Sequence, residues 1–314
     1  MTGGLVTLGE ALGVVAATEP GPLAPGATMR MDFAGAEATV AIGVRRLGHE
    51  SAWVGSVGAD AVGTMMLDRL RAEQVDISRC RIDPELPSGL MLRERRTADH
   101  MRVAYYRKDL AGSRLAAADI DTAQVAAARV LHLTGITPAL SPSARDAVHT
   151  ALDAAVDAGV TVSLDINYRR ALWSEADAAV EVSKLVSHAD IVFAGTDEAA
   201  LLVPSASPGM MAESLAALGP SQVVIKLGSE GALALHNDEL IRQPAVDIRS
   251  VDPVGAGDAF VAGYLAGVLD NGSVRHSLQL AATCGAFAVS VPGDWAGLPF
   301  RHELGLLMGA DINR

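Results

Sequence analysis

The sequence predicts an α/β fold, in which a doubly wound, mostly parallel sheet is flanked by helices and carries a small inserted β lid. Short apolar runs alternate with helix-length segments through most of the 314 residues, as in parallel sheets covered by helices. Two segments, about 11–33 and 87–107, instead alternate apolar and polar residues, which does not suit a central parallel strand. We therefore expect one domain over residues 1–314, with its lid formed by those two segments.

The front of the chain predicts the first elements of this architecture. Leu5 to Leu8 is a short apolar run typical of a buried strand. Residues 29–33 alternate as a half-exposed strand does, and residues 35–47 change to helical spacing. The next predicted elements are a strand at 52–57, a helix at 62–73, and two extended arms at 90–96 and 101–107.

Strands and helices alternate regularly from residue 130 onward, which predicts parallel strands joined by helices. The predicted strands are 130–133, 160–165, 191–193 and 222–227, and the helices between them are 143–158, 176–187 and 210–218. The last third predicts a hairpin at 232–246 and two apolar helices at 259–269 and 277–289.

The composition argues against several classes of protein. Twenty-five basic against 37 acidic residues give a formal charge of −12, the wrong sign for nonspecific binding of nucleic acid. Any anionic substrate must therefore meet locally placed Arg or Lys. The sequence has no signal-peptide pattern and no apolar run of about 18 residues, so we expect no membrane partner and a cytoplasmic location.

Residues 252–260, DPVGAGDAF, carry the strongest chemical signal. Gly255, Ala256 and Gly257 have almost no side chain, so their amides can close on an anion at a helix start. Asp258 stands in the first turn, where a carboxylate could take a proton from a hydroxyl while the amides hold phosphoryl charge. The pairing suggests phosphoryl transfer to an alcohol, although GAGD alone also fits an ordinary capped helix. The sequence lacks the GxxxxGK[ST] motif of P-loop kinases.

The longer string resembles the DTxGAGD signature of the ribokinase-like (PfkB) carbohydrate kinases, with Pro253 where that family usually has Thr. Residues 33–48, FAGAEATVAIGVRRLG, resemble the family's first signature, in which a small-residue turn and a helix form part of the sugar site. The resemblance covers nearly the whole chain. It implies a ribokinase-like fold and sugar contacts at Gly35, Ala36 and Thr39, the last in place of an Asn.

The nucleotide and magnesium sites are also implied by resemblance. VIKLGSEG resembles the family's nucleotide-binding strand and turn, and AGTDEAALL falls where the family places NxxE, whose acid organises Mg²⁺ through water. Gly195 replaces that Asn, so only Glu198 carries over. Asp252 either lines a monovalent-cation site, as in relatives, or caps its turn. The implied ATP contacts are Asn167, Lys226, Gly228, Ser229, Gly231, Gly255 and Gly257.

Two features favour 2-keto-3-deoxygluconate as the substrate within this family. Tyr105 and Arg107 stand on a lid arm, and Arg169 follows a strand end in DINYRRALW. An acid sugar carries a carboxylate, for which Arg offers paired planar donors. The resemblance thus implies ATP-dependent phosphorylation of a primary hydroxyl, with these three residues at the sugar and Asp258 as base.

Three alternative functions stay open. A kinase of the same fold for fructose, another ketose or a nucleoside would apply if neither Arg107 nor Arg169 reached the sugar. A catalytically silent sugar-binding or regulatory protein of this fold is a second alternative, against which the intact Asp258 and the unbroken GAGD argue. An NAD-dependent oxidoreductase would need the three-glycine fingerprint, which GSVGAD at 55–60 lacks.

The apolar residues of the lid arms predict an oligomer. Met29, Met31, Leu90 and Leu92 give the lid segments an apolar face, and a two-piece β lid of this size would be marginal alone. We therefore expect the lids to pair between subunits of a homo-oligomer.

Overall fold

The structure is a computed structural model that describes residues 3–97 and 100–307. Ala98 and Asp99, within the second predicted lid segment, lie outside the described residues. In chain order the strands are β1 (Leu5–Leu8), β2 (Leu12–Ala17), β3 (Met29–Ala34), β4 (Ser51–Val54), β5 (Ser56–Gly58), β6 (Arg81–Asp83), β7 (Leu90–Arg95), β8 (Met101–Tyr106), β9 (Val130–Thr134), β10 (Thr161–Asp165), β11 (Ile191–Gly195), β12 (Gln222–Lys226), β13 (Ala232–His236) and β14 (Glu239–Gln243). The α-helices are α1 (Ala36–Arg46), α2 (Ala61–Ala72), α3 (Thr122–Ala126), α4 (Pro142–Ala158), α5 (Glu175–Val186), α6 (Thr196–Ala199), α7 (Pro208–Ala216), α8 (Ala256–Leu269) and α9 (Val274–Val289).

A central sheet of eight strands forms the middle of the molecule, in the order β14-β13-β12-β11-β10-β9-β1-β4. From β12 to β4 all neighbours are parallel, and β13 and β14 add an antiparallel hairpin at one edge. Helices cover both faces of this sheet. The predicted fold class, a doubly wound and mostly parallel sheet, is therefore confirmed.

The side chains of each central strand divide between two helical layers. Val6 and Leu8 of β1 belong to a core that contains residues of α4, α5 and α7. Leu5, on the opposite face, belongs to a core that contains residues of α1, α8 and α9. Because both faces are covered, all four residues of β1 are buried, three of them are apolar, and the hydroxyl of the fourth, Thr7, donates to the His132 carbonyl oxygen at 2.8 Å.

Three details of the sequence prediction were wrong. The strand expected at 52–57 is interrupted at Gly55, where a side chain would run into the Trp53 ring, so β4 and β5 are separate. The helix expected from residue 259 begins at Ala256, because the left-handed Gly255 (φ 76°) starts the first turn. Strand β2, inside the first lid segment, was not anticipated; it pairs with both β3 and β7.

Helix α8 lies in the interior, with every residue from Ala259 to Gly267 buried. A helix that is apolar all round needs such surroundings. Its neighbours come very close: a Cβ atom on Gly43 of α1 would lie 2.5 Å from the Ala262 Cβ atom. Packing on both sides therefore fixes the direction in which the N-terminus of α8 points. None of the helices in the described ranges combines the length and apolarity needed to cross a bilayer.

A second sheet has the order β3-β2-β7-β8 and comes from the two predicted lid segments. Leu12, Val14, Ala34 and Met91 form a small apolar cluster on it. Every residue of β8, at one edge, is exposed. The assignment of this sheet to a single domain over residues 1–314 stays a prediction.

The contact between α8 and α9 predicts that alanine substitutions at two helical glycines change the free energy of unfolding in different ways. A Cβ atom on Gly263 would lie 2.7 Å from the Leu280 carbonyl oxygen, whereas one on Gly285 would find nothing closer than 3.7 Å. We expect Gly263→Ala to lower the free energy of unfolding by about 1–3 kcal/mol through overpacking. Gly285→Ala should be neutral or raise it by about 0.4–1 kcal/mol. Urea denaturation measures both, and equal effects would contradict the packing described.

Candidate active site

The site lies at the carboxyl edge of the central sheet. Because β1, β9, β10, β11 and β12 are parallel, the residues that follow them meet at one edge, where ligands bind in open α/β sheets. The N-terminus of α8 opens at the same place, since a Cβ atom on Gly257 would lie 4.0 Å from the Lys226 Nζ atom. The glycine turn and the strand ends therefore form one site.

Lys226 and Asp165 form the central ion pair of this site. Lys226 ends β12, and its Nζ donates to both carboxylate oxygens of Asp165, which ends β10, at 2.7 Å each. Asp165 is buried and Lys226 is half-buried. Burial disfavours the ammonium, but the carboxylates of Asp165 and Glu198 outweigh it and raise the pKa of Lys226. The lysine therefore remains charged beside the helix start.

Asp258, in the first turn of α8, is partly buried and close enough to this pair to interact with both of its charges. Burial, reinforced by the Asp165 carboxylate, raises the pKa of Asp258 to about 7. Lys226 and Arg169 act in the opposite direction and keep the pKa from rising further. A carboxyl group that titrates near neutral pH is suited to accept a proton from a hydroxyl.

The glycine turn before Asp258 is shaped by two different constraints. Gly255 has a left-handed backbone, and a side chain there would collide with the carbonyl group of Asp294. Gly257 is exposed, with open space where its side chain would be. Gly255 is therefore required for packing, while Gly257 leaves the amides open to a ligand. Both oxygens of Asp252 accept backbone N–H bonds of 3.1 Å, from Val254 and Gly293, so Asp252 caps this turn.

Glu198 stands in α6, directly after β11. Its Oε2 atom accepts a 2.7 Å bond from the Gly195 amide and lies 3.8 Å from the Lys226 Nζ atom. Burial and the nearby Asp165 carboxylate raise the pKa of Glu198, while Lys226 opposes them. In the described ranges no group of three or more His, Cys, Asp or Glu could hold a metal ion directly. Carboxylate oxygens at this edge fit a hydrated Mg²⁺ ion, which prefers oxygen ligands and retains water.

The expected nucleotide residues lie on the turn after β12 and next to β10. Gly228 is left-handed with open space around it, and Ser229 is exposed. Gly231 is also left-handed, but the backbone of residues 243–245 fills the space beside it, so its missing side chain serves packing. Asn167 is buried, with a left-handed backbone (φ 37°), two residues after the Asp165 pair.

The expected sugar residues of the front motif begin helix α1. Gly35 precedes the helix, and a Cβ atom there would lie 2.7 Å from the Glu10 carbonyl oxygen. Ala36 is buried as the first helical residue. Thr39 is completely buried, and its hydroxyl has no hydrogen-bond partner among the described residues.

The lid contributes Arg107 and Tyr105, and the structure gives Arg107 a partner that the sequence did not indicate. Its guanidinium forms an ion pair with Glu10, whose side chain is 1% exposed, and lies 5.6 Å from the centre of the exposed Tyr105 ring. Burial raises the pKa of Glu10 to about 7, although Arg107 opposes the shift. Arg169 is exposed on the loop after β10 and is close enough to lower the pKa of Asp258.

Two acidic residues of the site were missed by sequence reasoning. Glu10 lies outside the motifs described above, and Glu37 is not distinguished by sequence within the small-residue start of α1. Glu37 is buried, and its Oε1 atom accepts bonds from the hydroxyls of Thr134 (2.6 Å) and Thr137 (2.7 Å). Burial raises its pKa despite these bonds. An acid in an otherwise small and apolar helix start was the available signal.

The family model of the pfkB family carbohydrate kinases matches residues 3–301. The chain belongs to this family. Two similar PfkB relatives are 2-dehydro-3-deoxygluconokinases. That of Bacillus subtilis is 38% identical over 309 residues, which cover 97% of this chain and 95% of the relative. That of Thermoproteus tenax is 35% identical over 314 residues, covering 98% and 94%. A fructokinase from Salmonella typhimurium is 31% identical over 280 residues, covering 86% and 90%.

Solved structures agree with the ribokinase-like fold. A PfkB protein from Polaromonas sp. JS666 has a TM-score of 0.88 at 34% identity, with 97% of this chain and 99% of the other covered. A putative ribokinase II from E. coli, in complex with ATP and Mg²⁺, has a TM-score of 0.90 at 24% identity, covering 98% and 99%. The predicted carbohydrate kinase family and fold are both confirmed.

The buried pair at the centre of the PfkB site predicts a large stability effect. Lys226→Met would leave the Asp165 carboxylate buried without its partner, so we expect the free energy of unfolding to fall by about 3–5 kcal/mol. Adding Asp165→Asn removes the orphaned charge and should recover part of the loss. Lys184→Met removes an exposed partner of Glu181, which keeps its bond to His149, and should cost less than about 1 kcal/mol. Urea denaturation decides, and a double variant no more stable than Lys226→Met would contradict the explanation.

Proposed function

We propose that this chain is an ATP-dependent kinase that phosphorylates the terminal primary hydroxyl of 2-keto-3-deoxygluconate, also called 2-dehydro-3-deoxygluconate. The observation that carries the proposal is a single arrangement: the Asp258 carboxyl, with a pKa of about 7, at the start of α8 beside the open Gly257 turn. A base and an anion cradle side by side are what phosphoryl transfer to an alcohol requires. The identity of the sugar is supported by the named relatives.

In the proposed mechanism Asp258 accepts the proton of the sugar hydroxyl while the oxygen of that hydroxyl attacks the γ-phosphorus of ATP. A new O–P bond forms, and the bond from that phosphorus to the oxygen of the ADP leaving group breaks. The amides of Gly255, Ala256 and Gly257, at the positive end of α8, stabilise charge on the transferred group. The Lys226 ammonium, close to Gly257, adds a fixed positive charge.

ATP is proposed to lie along the turn after β12, with contacts from Lys226, Gly228, Ser229 and Asn167. The open space at Gly228 supports this placement, whereas Gly231 contributes by packing. Mg²⁺, when bound, neutralises charge on the ATP phosphates, and Glu198 is proposed to hold it through water. A monovalent cation at Asp252 is also proposed, although both oxygens of that carboxylate already accept backbone N–H bonds, one from Val254 in its own turn and one from Gly293.

The acid sugar is proposed to lie between the lid and the start of α1, against Gly35, Ala36, Thr39 and Tyr105. Arg169 is the better supported partner for its carboxylate, since it is exposed and its charge reaches Asp258. Arg107 is the second proposed partner. Its ion pair with Glu10 is the observation that favours a neutral ketose such as fructose as the alternative substrate, because a buried carboxylate already balances its charge.

The experiment that tests the function is release of ADP with Mg²⁺-ATP and 2-keto-3-deoxygluconate, beside fructose, ribose and adenosine. We expect selective turnover of the acid sugar and a loss of about 10²–10⁴-fold in kcat for Asp258→Asn, which cannot accept the proton. Turnover of fructose in preference would support the alternative. An absence of turnover with every sugar, in potassium and in tetramethylammonium salts, would favour a silent binding protein.

The pH dependence of the same reaction supplies a second readout. Because Asp258 must be deprotonated to act as base and its pKa is raised to about 7, kcat/KM should fall as the pH drops below 7. The residual turnover of Asp258→Asn should not show this limb. A wild-type profile that is flat from pH 5.5 to 8 would contradict the role of this carboxyl.

Arg169 offers a test of substrate choice when the kinetics are measured well above the pKa of Asp258, which loss of the Arg169 charge would raise further. Arg169→Met should raise KM for the acid sugar by about 10- to 100-fold, the value of a charge-assisted hydrogen bond, and change fructose kinetics little. Arg170→Met, a neighbour paired only with the exposed Glu175 in the described contacts, is the matched control. Equal effects of both variants on both sugars would remove Arg169 from the sugar site.

The exposed edge of the lid supports the proposed homo-oligomer. Met101, Val103 and Tyr105 are 39–47% exposed on β8, and Tyr106 is 58% exposed. We expect the lids of two subunits to cover these side chains. Light scattering at micromolar concentration should give at least a dimer, and Val103→Lys should dissociate it. A strictly monomeric wild type would refute the proposal.

The cytoplasmic location is likewise kept as a proposal, which cell fractionation tests.

A further inference from the structure

The lid and the glycine turn are joined through a loop that none of the sequence motifs includes. Arg93, on β7 of the lid, donates from Nη1 and Nη2 to the two carboxylate oxygens of Asp294, at 2.7 Å each. The two side chains are only 8% and 12% exposed. A two-pronged pair of this kind constrains orientation as well as distance. The lid therefore grips the loop at residue 294 in one defined geometry.

The same loop packs directly against the start of α8. The main chain of Asp294 fills the space that a side chain on Gly255 would occupy. One residue earlier, the Gly293 amide donates to the Asp252 carboxylate at 3.1 Å, which ties the loop to the turn that precedes Gly255. A shift of residues 293–294 would therefore also displace the first backbone amides of α8.

A second set of contacts joins the loop to the other side of the lid. Trp295 is buried, and its Nε1 donates to the Phe33 carbonyl oxygen of β3 at 3.2 Å. The rings of Phe33 and Trp295 are 5.3 Å apart. Residues 294–295 therefore contact both β3 and β7 of the lid. The position of the loop is set by the whole sheet rather than by one side chain.

We propose that Arg93 and Asp294 are positioning residues for phosphoryl transfer, which hold the Gly255–Gly257 amides in line when the lid is docked. The proposal rests on the kinase function proposed above. Neither residue is placed at the reacting atoms: Asp294 acts through its backbone contact with Gly255, and Arg93 acts through Asp294. Donors at an anion hole need accurate placement, so loosening the loop should slow the chemical step more than it weakens sugar binding.

Kinetics of the full chain test this proposal with Arg93→Met, Asp294→Asn and their double variant. We expect kcat to fall on the order of 10- to 100-fold in each single variant, with KM for the sugar within about threefold of wild type. The double variant should be no worse than either single one, because both remove the same link. Arg93→Lys keeps the charge but loses the fork, so it should remain impaired. Arg102→Met, an exposed lid arginine on β8, is the matched control and should behave as wild type.

Hydrogen exchange of the amides separates failure of this proposal from failure of the kinase function. Exchange at residues 255–258 should be faster in Arg93→Met and Asp294→Asn than in wild type and Arg102→Met. If the wild type phosphorylates no sugar, the kinase proposal fails, and the exchange rates still decide whether the link exists. Variants with wild-type kcat, with an effect on KM alone, or with unchanged exchange at 255–258 would overturn the proposal. Arg93→Lys provides the same exchange readout if the Met variant does not fold.

Discussion

The site depends on one constraint, that charges withdrawn from water must be balanced where they meet. Asp165, Glu198 and Asp258 converge at the carboxyl edge of the sheet, where Arg169 acts on Glu198 and Asp258 and the Lys226 ammonium acts on all three. It bonds directly to Asp165, lies within 4 Å of Glu198, and is close to the turn before Asp258. Burial, reinforced by the Asp165 carboxylate, still raises the pKa of Asp258 to about 7, the range in which a carboxyl group can exchange a proton with a substrate.

The packing of α8 determines where its N-terminal amides lie relative to these charges. The helix is buried between the sheet, α1 and α9, and its close contacts at Gly43 and Gly263 leave little freedom to tilt. Its N-terminus therefore presents its first amides at a fixed place beside Lys226. A rigid scaffold of this kind supplies position, while the second sheet presents its exposed edge strand β8. The loop at Asp294 is where the two parts meet.

The individual motifs were recognisable because each depends on a few neighbouring residues. GAGD at 255–258 and the lysine of VIKLGSEG both occupy the positions that their local patterns indicated. The partnerships of Arg107 with Glu10 and of Arg93 with Asp294 were not recognisable, since 97 and 201 positions separate their members. For the same reason the sequence indicated no ion-pair partner for Arg107, whereas the structure places the buried Glu10 carboxylate beside it.

The sequence by itself determined the layers of this protein and the chemistry at its strand ends. Apolar periodicity specifies which segments are buried strands or covered helices, and glycines specify the turns, because both depend on side chains within one turn or one strand of each other. Only the tertiary structure decided how the charges pair. Three interactions depend on where distant segments meet. They are the bonds from two threonine hydroxyls to Glu37, the ion pair of Lys226 with Asp165, and the ion pair of Arg93 with Asp294. The pKa values follow from that meeting, since burial and nearby charge are properties of the assembled site rather than of any one segment.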